Sequence, residues 1–232
     1  MTTERTLVPG VHVVPTSIGA FHALTSKADG PAERLLRNLL RAPKAPTTDD
    51  ADLPELAAVA DAETAITVLA LAQDAGWVEG VETPTELGEG PLGHHLPDLL
   101  APLSDEGCAA LVDDQGFLLA SVGMAPAVEE ELSVLAAEVV RLRQRRHTLE
   151  ASAHPAPGWS LVDVHGVPSV ALYPLSIGTH TFVLVLGGLP RLNRPAFALL
   201  ASALCRRYDA PAADPSDEPS GPHHQPGGTT HA

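Results

Sequence analysis

Few stretches of this 232-residue chain place chemically active side chains close together. Gly88, Gly90 and Gly93 form a G-x-G-x-x-G run, the spacing with which a backbone turn approaches a dinucleotide pyrophosphate. That use needs a strand before the run and a helix N-terminus aimed at the phosphates. Here Glu86 and Glu89 would repel phosphate and Pro91 interrupts the turn, so the stretch reads as an acidic linker. His94 and His95 follow it. Adjacent residues point in different directions on a helix or strand, and Asp98 is the one carboxylate close by, so no metal centre is expected. The two cysteines, Cys108 and Cys205, each sit in an apolar pattern and are expected as buried, reduced thiols. Arg206 and Arg207 close a helical segment. The helix dipole accounts for them there, and a basic contact is the other use they allow. The chain has no nucleophile elbow, no G-x-x-x-x-G-K-[ST] loop and no paired carboxylates or Cys/His cluster at ligand spacing. A self-contained enzyme is therefore not expected, and neither is a cofactor or metal.

The net charge of −15 repels phosphates and argues against a nucleic-acid or anionic-membrane partner. No run of roughly 18 apolar residues exists to span a bilayer. The first residues lack the basic and apolar regions of a signal peptide, which gives a cytoplasmic expectation. Apolar content of 44% allows a core, and aromatic content of 3% requires Leu, Val and Ala to build it.

The elements that must position any surface begin with two short extended runs, 10–14 and 18–24. Residues 31–41 carry leucines at i, i+1, i+4 and i+5, one apolar helical face, with Asp29 or Gly30 as cap and Pro31 in the first turn. Helices are expected at 53–60, capped by Asp52, and at 62–75, capped by Asp61 and ended by Gly76. An extended segment starts at Trp77. Three helices, a Gly-Trp-Val turn and a strand resemble a winged-helix module over roughly residues 10–83. The helix that would enter a DNA groove offers Glu63, Thr64, Thr67, Gln73 and Asp74 and no base, so protein contact suits this unit better than DNA.

The second half is organised by a hairpin. Strands are expected at 108–113 and 117–122 around Asp114-Gln115-Gly116, with Gly116 supplying the left-handed turn position. A short helix at 96–103, bent or ended by Pro102, precedes them. A long helix over 127–147 opens with Glu129-Glu130-Glu131 and closes with Arg141, Arg143, Arg145, Arg146 and His147, matching the macrodipole. Strands then read at 159–164, 169–173 and 179–186. The last is His180-Thr181-Phe182-Val183-Leu184-Val185-Leu186, apolar on both faces and so expected at the centre of a covered sheet. A final helix begins after Asn193, its expected cap, with Pro195 in the first turn, and runs to about Tyr208.

Gly107, Ala110, Leu111, Val112, Asp113, Gly116 and Leu119-Ala120, then Leu132 and Leu135, then Tyr173-Pro174-Leu175, carry a resemblance. Their order resembles the Roadblock family, which includes the dynein Roadblock light chains and the bacterial MglB-type regulators. It covers about residues 94–208. It implies an α+β fold with a five-stranded, mainly antiparallel sheet flanked by helices. The expected organisation is a winged-helix-like unit at 1–82, a linker at 83–93, the Roadblock-like unit at 94–208 and a disordered tail at 209–232. The tail is rich in Pro, Gly, Ser, Asp and His and cannot bury enough surface to fold alone; His223-His224 within it is no metal site.

The apolar stripe of the long helix is wider than one small sheet requires. What the resemblance implies is a homodimer in which this helix meets its copy and edge strands pair. The expected partner or dimer interface is Leu132, Leu135, Val139, Leu142, Trp159 and Leu161, with Trp159 starting the edge strand. The resemblance further implies a non-catalytic platform that binds a small Ras-like GTPase and tunes its nucleotide state. A structural protein-interaction adaptor and a winged-helix transcription regulator are the other readings.

Overall fold

The computed structural model describes residues 8–48, 53–145 and 158–209. The run His180–Gly187 is the middle strand of a five-stranded sheet, as its two apolar faces require. In chain order the elements are β1 (His12–Pro15), α1 (Ser17–Thr25), α2 (Pro31–Arg41), α3 (Leu53–Ala57), α4 (Ala62–Asp74), β2 (Val78–Val81) and α5 (Leu92–Leu100). A 3-10 turn at Ala101–Leu103 leads into β3 (Ala109–Asp113), β4 (Leu118–Val122), α6 (Pro126–Arg145), β5 (Trp159–Val162), β6 (Pro168–Ile177), β7 (His180–Gly187) and α7 (Pro195–Tyr208). The order β4-β3-β7-β6-β5 is antiparallel throughout.

Alternation along each strand divides the core in two. Leu111, Leu175, Phe182, Leu184 and Leu186 face one side, where they pack with α5 and α7. Ala110, Val112, Leu172, Val183 and Val185 face the other, under α6. The β3–β4 hairpin turn must pass close to α6. Gly116 takes φ +92°, and a Cβ there would lie 3.3 Å from the Ser133 carbonyl oxygen and 3.5 Å from the Ala137 Cβ. The left-handed backbone and the close approach both select glycine.

The first core continues into the N-terminal helices. Leu35, Leu36, Leu39 and Leu40 of α2 are buried at the spacing expected from the sequence. Phe21 of α1 stands between Tyr173 of β6 and Phe197 of α7, with ring centroids 6.0 Å from each. His22 stacks on Trp77 at 4.0 Å and bonds the Glu33 carboxylate at 3.1 Å. Burial pushes Glu33 up, but hydrogen bonds from His22 and the backbone outweigh it and hold the carboxyl below its usual range. A lowered carboxylate contributes stability above its unfolded pKa and loses it as pH falls through the folded value. Stability should therefore drop below about pH 4.5. Glu33→Gln should flatten that part of a urea-midpoint-against-pH profile, and an unchanged acid slope would contradict the pairing.

The structure corrects several expectations. Residues 18–24 are helical: Thr16 caps α1 by accepting the Gly19 N–H, and Gly19, Ala20, Ala23 and Leu24 form its buried face at helical spacing. The helix expected at 53–60 stops at Ala57, because Ala58 turns to φ +50°. Its expected cap, Asp52, lies outside the described residues. Arg194, not Asn193, holds the N-cap position of α7, with no side-chain cap bond. β6 continues past Tyr173 through Pro174 to Ile177; β5 pairs only as far as Leu172, so the proline lies beyond the end of that strand. β5 ends at Val162, where Asp163 closes a turn by accepting the His165 and Val167 N–H groups at 2.8 and 2.9 Å. The expected winged-helix order is not reproduced. Four helices precede β2, and β2 pairs back with β1, so the described residues form no wing hairpin. Arg146 and His147, the 146–157 segment and the 210–232 tail lie outside the described residues.

Cys108 is half-exposed rather than buried, with its thiol donating to the Gly123 carbonyl at 3.0 Å. Cys205 is buried in α7, and burial together with the Asp209 charge pushes its thiol up to about 12. At pH 8 only about one Cys205 in 10⁴ is then thiolate. A disulfide reagent should titrate one thiol rapidly in the native protein and a second only after denaturation. Two equally fast native thiols would contradict this placement.

Candidate partner surface

The sequence of α6 decides what the outer face of the sheet shows to solvent. Its stripe Leu132, Ala136, Val139 and Val140 buries against β3, β6 and β7. One flank of that stripe repeats at seven-residue intervals: Val128, Leu135 and Leu142. Val128 is 44% exposed, and Leu135 and Leu142 are half-buried. Together with Leu132 and Val139, these positions follow the alternating four-three spacing of a helix seam. Leu132 and Val139 serve the chain's own core, while Leu135 and Leu142 stand at its rim. Val134, on another face, is 62% exposed.

The ends of α6 are tied down. Ser121 of β4 donates to the Glu129 carboxylate in the first turns of α6. Arg143 donates to the Pro174 carbonyl at 3.1 Å, and Arg141 pairs with Glu138. The helix is thus held to the sheet through both core and termini, leaving its rim fixed in direction.

β5 is the edge of the sheet, the position expected of the strand that Trp159 starts. Its outer side has no strand neighbour among the described residues. Trp159, like Val170 and Leu135, packs against the α6 cluster, and its Nε1 is buried with no acceptor among the described residues. A buried donor left unpaired costs about 1–3 kcal/mol. Leu161 is 52% exposed, and Val162, Val164 and Val167 continue an apolar surface into the β5–β6 turn. An open strand edge bearing apolar side chains is a template for pairing. Of the six residues expected at the interface, Leu135, Leu142, Trp159 and Leu161 lie at or near this surface, and Leu132 and Val139 lie beneath it. The valines at 162, 164 and 167 are additions that the sequence does not single out, because their exposure follows from the turn at Asp163.

The other sequence features do not converge. The Gly88–Gly93 run leads into α5 and ends inside its first turn, without a strand directly before it, and Pro91 occupies the N-cap position of that helix. His95 lies against Gly88 and Gly90 of this loop. Among the described residues, no group of three His, Cys, Asp or Glu side chains has the arrangement of a metal site. No described helix is long and apolar enough to cross a membrane.

No family profile matches the chain, and no curated protein sequence matches it. Two solved structures are similar to it. MglB of Myxococcus xanthus is 14% identical with a TM-score of 0.35, over 53% of this chain and 94% of that one. The gliding protein MglB of Thermus thermophilus is 18% identical with a TM-score of 0.33, over 54% of this chain and 96% of that one.

Proposed function

We propose that this chain is a non-catalytic, Roadblock-like regulator or scaffold that works as a homodimer and binds a small Ras-like GTPase, tuning its nucleotide state. The observation that carries the reading is the open flank of the sheet. An apolar helix rim at Val128, Leu135 and Leu142 and the edge strand β5, which starts at Trp159 and has no outer strand neighbour among the described residues, meet at one cluster through Leu135 and Trp159. A second copy related by a two-fold axis presents the same patch, so the two can cover each other. The sequence motifs of 94–208 supply the GTPase expectation, and the sheet order β4-β3-β7-β6-β5 is compatible with it. The exposed part of α4 carries Glu63, Thr67 and Asp74, which favours a protein contact over DNA for the N-terminal helices.

The direct test is affinity isolation from the native cell in GDP and in a non-hydrolysable GTP analogue. The proposal expects a small GTPase whose recovery depends on the nucleotide; no GTPase in either state would remove the regulatory role. The dimer is tested separately. Leu135→Asp with Leu142→Asp should weaken self-association by at least about 2 kcal/mol, roughly 30-fold in Kd, while leaving the fold's circular dichroism intact. An unchanged Kd would place the interface elsewhere.

A further inference from the structure

The sheet has a second open edge, at the end away from β5. β4 has no strand on its outer side among the described residues, and none of its five residues, Leu118–Val122, is buried. A bulge at Leu119, which has no opposite residue on β3, leaves 120–122 as the regular stretch of that edge. The strand carries neither a charge nor a proline, two devices that commonly blunt an exposed edge. Apolar surface continues from it. Of the chain's four Phe, two Trp and two Tyr, Phe117 alone is exposed, at 66%, and Leu118 after it is 39% exposed. Gly116 sets the hairpin turn against Ser133 and Ala137 of α6, and the next residue on that helix is the exposed Val134.

The surroundings of this edge are acidic. Twenty of the 29 Asp and Glu residues fall between Lys44 and Arg141, and no Lys or Arg does. Asp113 and Asp114 enter the hairpin turn. Glu129 and Glu130 lie in the first turns of α6, and the Ser121 hydroxyl of β4 donates to Glu129. None of these four pairs with Lys or Arg among the described residues. The first cation on α6, Arg141, is already paired with Glu138. We infer that β4 is a docking edge for an extended, Lys- or Arg-bearing segment of a partner protein, which adds to the sheet as a sixth strand. Main-chain hydrogen bonds along 120–122 hold the segment in register. An apolar side chain covers Phe117 and Val134, as an exposed apolar patch beside an open edge invites. The unpaired carboxylates select a basic segment and repel an acidic one. β4 and β5 are opposite ends of the sheet, so the dimer proposed above leaves this edge free, and the inference does not depend on it.

The test titrates the isotopically labelled full chain with synthetic octapeptides. One alternates Lys and Val, one alternates Glu and Val, and one is the Lys-Val peptide with every amide N-methylated. The Lys-Val peptide should shift the amides of 118–122 and leave those of 159–162 in place. The Glu-Val and N-methylated peptides should bind at least about tenfold more weakly. Phe117→Ser with Val134→Ser, both at exposed positions, should weaken the Lys-Val peptide by a similar factor with circular dichroism unchanged. Asp114→Asn with Glu130→Gln should do the same, and about 1 M salt, where the Debye length is about 3 Å, should reproduce that loss in the parent. No β4 shift at millimolar Lys-Val peptide, or equal binding of the N-methylated peptide, would overturn the docking edge. So would shifts as large around Glu63 and Asp74 of α4, which would mean unspecific attraction to an acidic surface. β4 amides that move on dilution of the protein alone would give the edge to a second copy and overturn the basic occupant.

Discussion

Leu184→Ala should remove about 3–5 kcal/mol from the free energy of unfolding. Leu184 is completely buried in the middle of β7, and β7 is the middle of the sheet. It is paired with Leu111 of β3 on one side and Tyr173 of β6 on the other. Its side chain lies in the core shared with α5 and α7, which also contains the N-terminal leucines. Backbone pairing on both sides of β7 prevents the site from closing around the lost methyls, so the cavity term adds to the transfer term. Marginal stability makes such a loss a large share of the total. Urea unfolding of parent and variant reads the difference directly. A loss under about 1 kcal/mol would mean that β7 is not at the centre.

Gly19→Ala should destabilise, against the usual gain of about 0.5–1 kcal/mol when alanine replaces glycine inside a helix. A Cβ at this position would sit 1.9 Å from the Trp77 carbonyl oxygen and 2.7 Å from its carbon. Neither atom belongs to a flexible side chain, and the same carbonyl accepts the Thr16 N–H at 2.9 Å. The methyl can be accommodated only if α1 moves off the turn into β2, which disturbs the stacking of His22 on Trp77. Overpacking of this kind costs typically about 1–3 kcal/mol, enough to outweigh the helix gain. Altered Trp77 fluorescence should accompany the lower unfolding midpoint. An alanine variant more stable than the parent would show that α1 does not contact this turn.

The same position explains why α1 was not legible as a helix. Its buried face is made of Gly19, Ala20 and Ala23 beside Leu24, residues too small to announce an apolar stripe. They are small because α1 lies close against Trp77, a long-range contact that local pattern does not encode. The second half was legible for the opposite reason. β7 is apolar without interruption, Gly116 punctuates the hairpin, and α6 carries acid and base at its proper ends. The end of β5 was misplaced by two residues because Val162-Asp163-Val164 continues the alternation of a strand. Asp163 instead accepts two N–H groups and closes the turn.

The candidate surface was legible in part. The excess width of the α6 stripe pointed to a second contact, and Leu135 and Leu142 do stand at its rim. Which of the apolar positions face inward depends on where β3, β6 and β7 lie, and so Leu132 and Val139 could not be told from their neighbours by spacing. The half-exposure of Cys108 follows from its place just before β3, whose residues Ala109–Val112 are fully buried; its thiol meets Gly123 just past the end of β4.

The mass of the full chain in solution at micromolar concentration, by light scattering, bears most directly on the proposed assembly. Pairing through the α6 rim and the β5 edge predicts about twice the 24.1 kDa of one chain, reduced to a single chain by Leu135→Asp with Leu142→Asp. A parent protein of 24.1 kDa under those conditions would contradict the account.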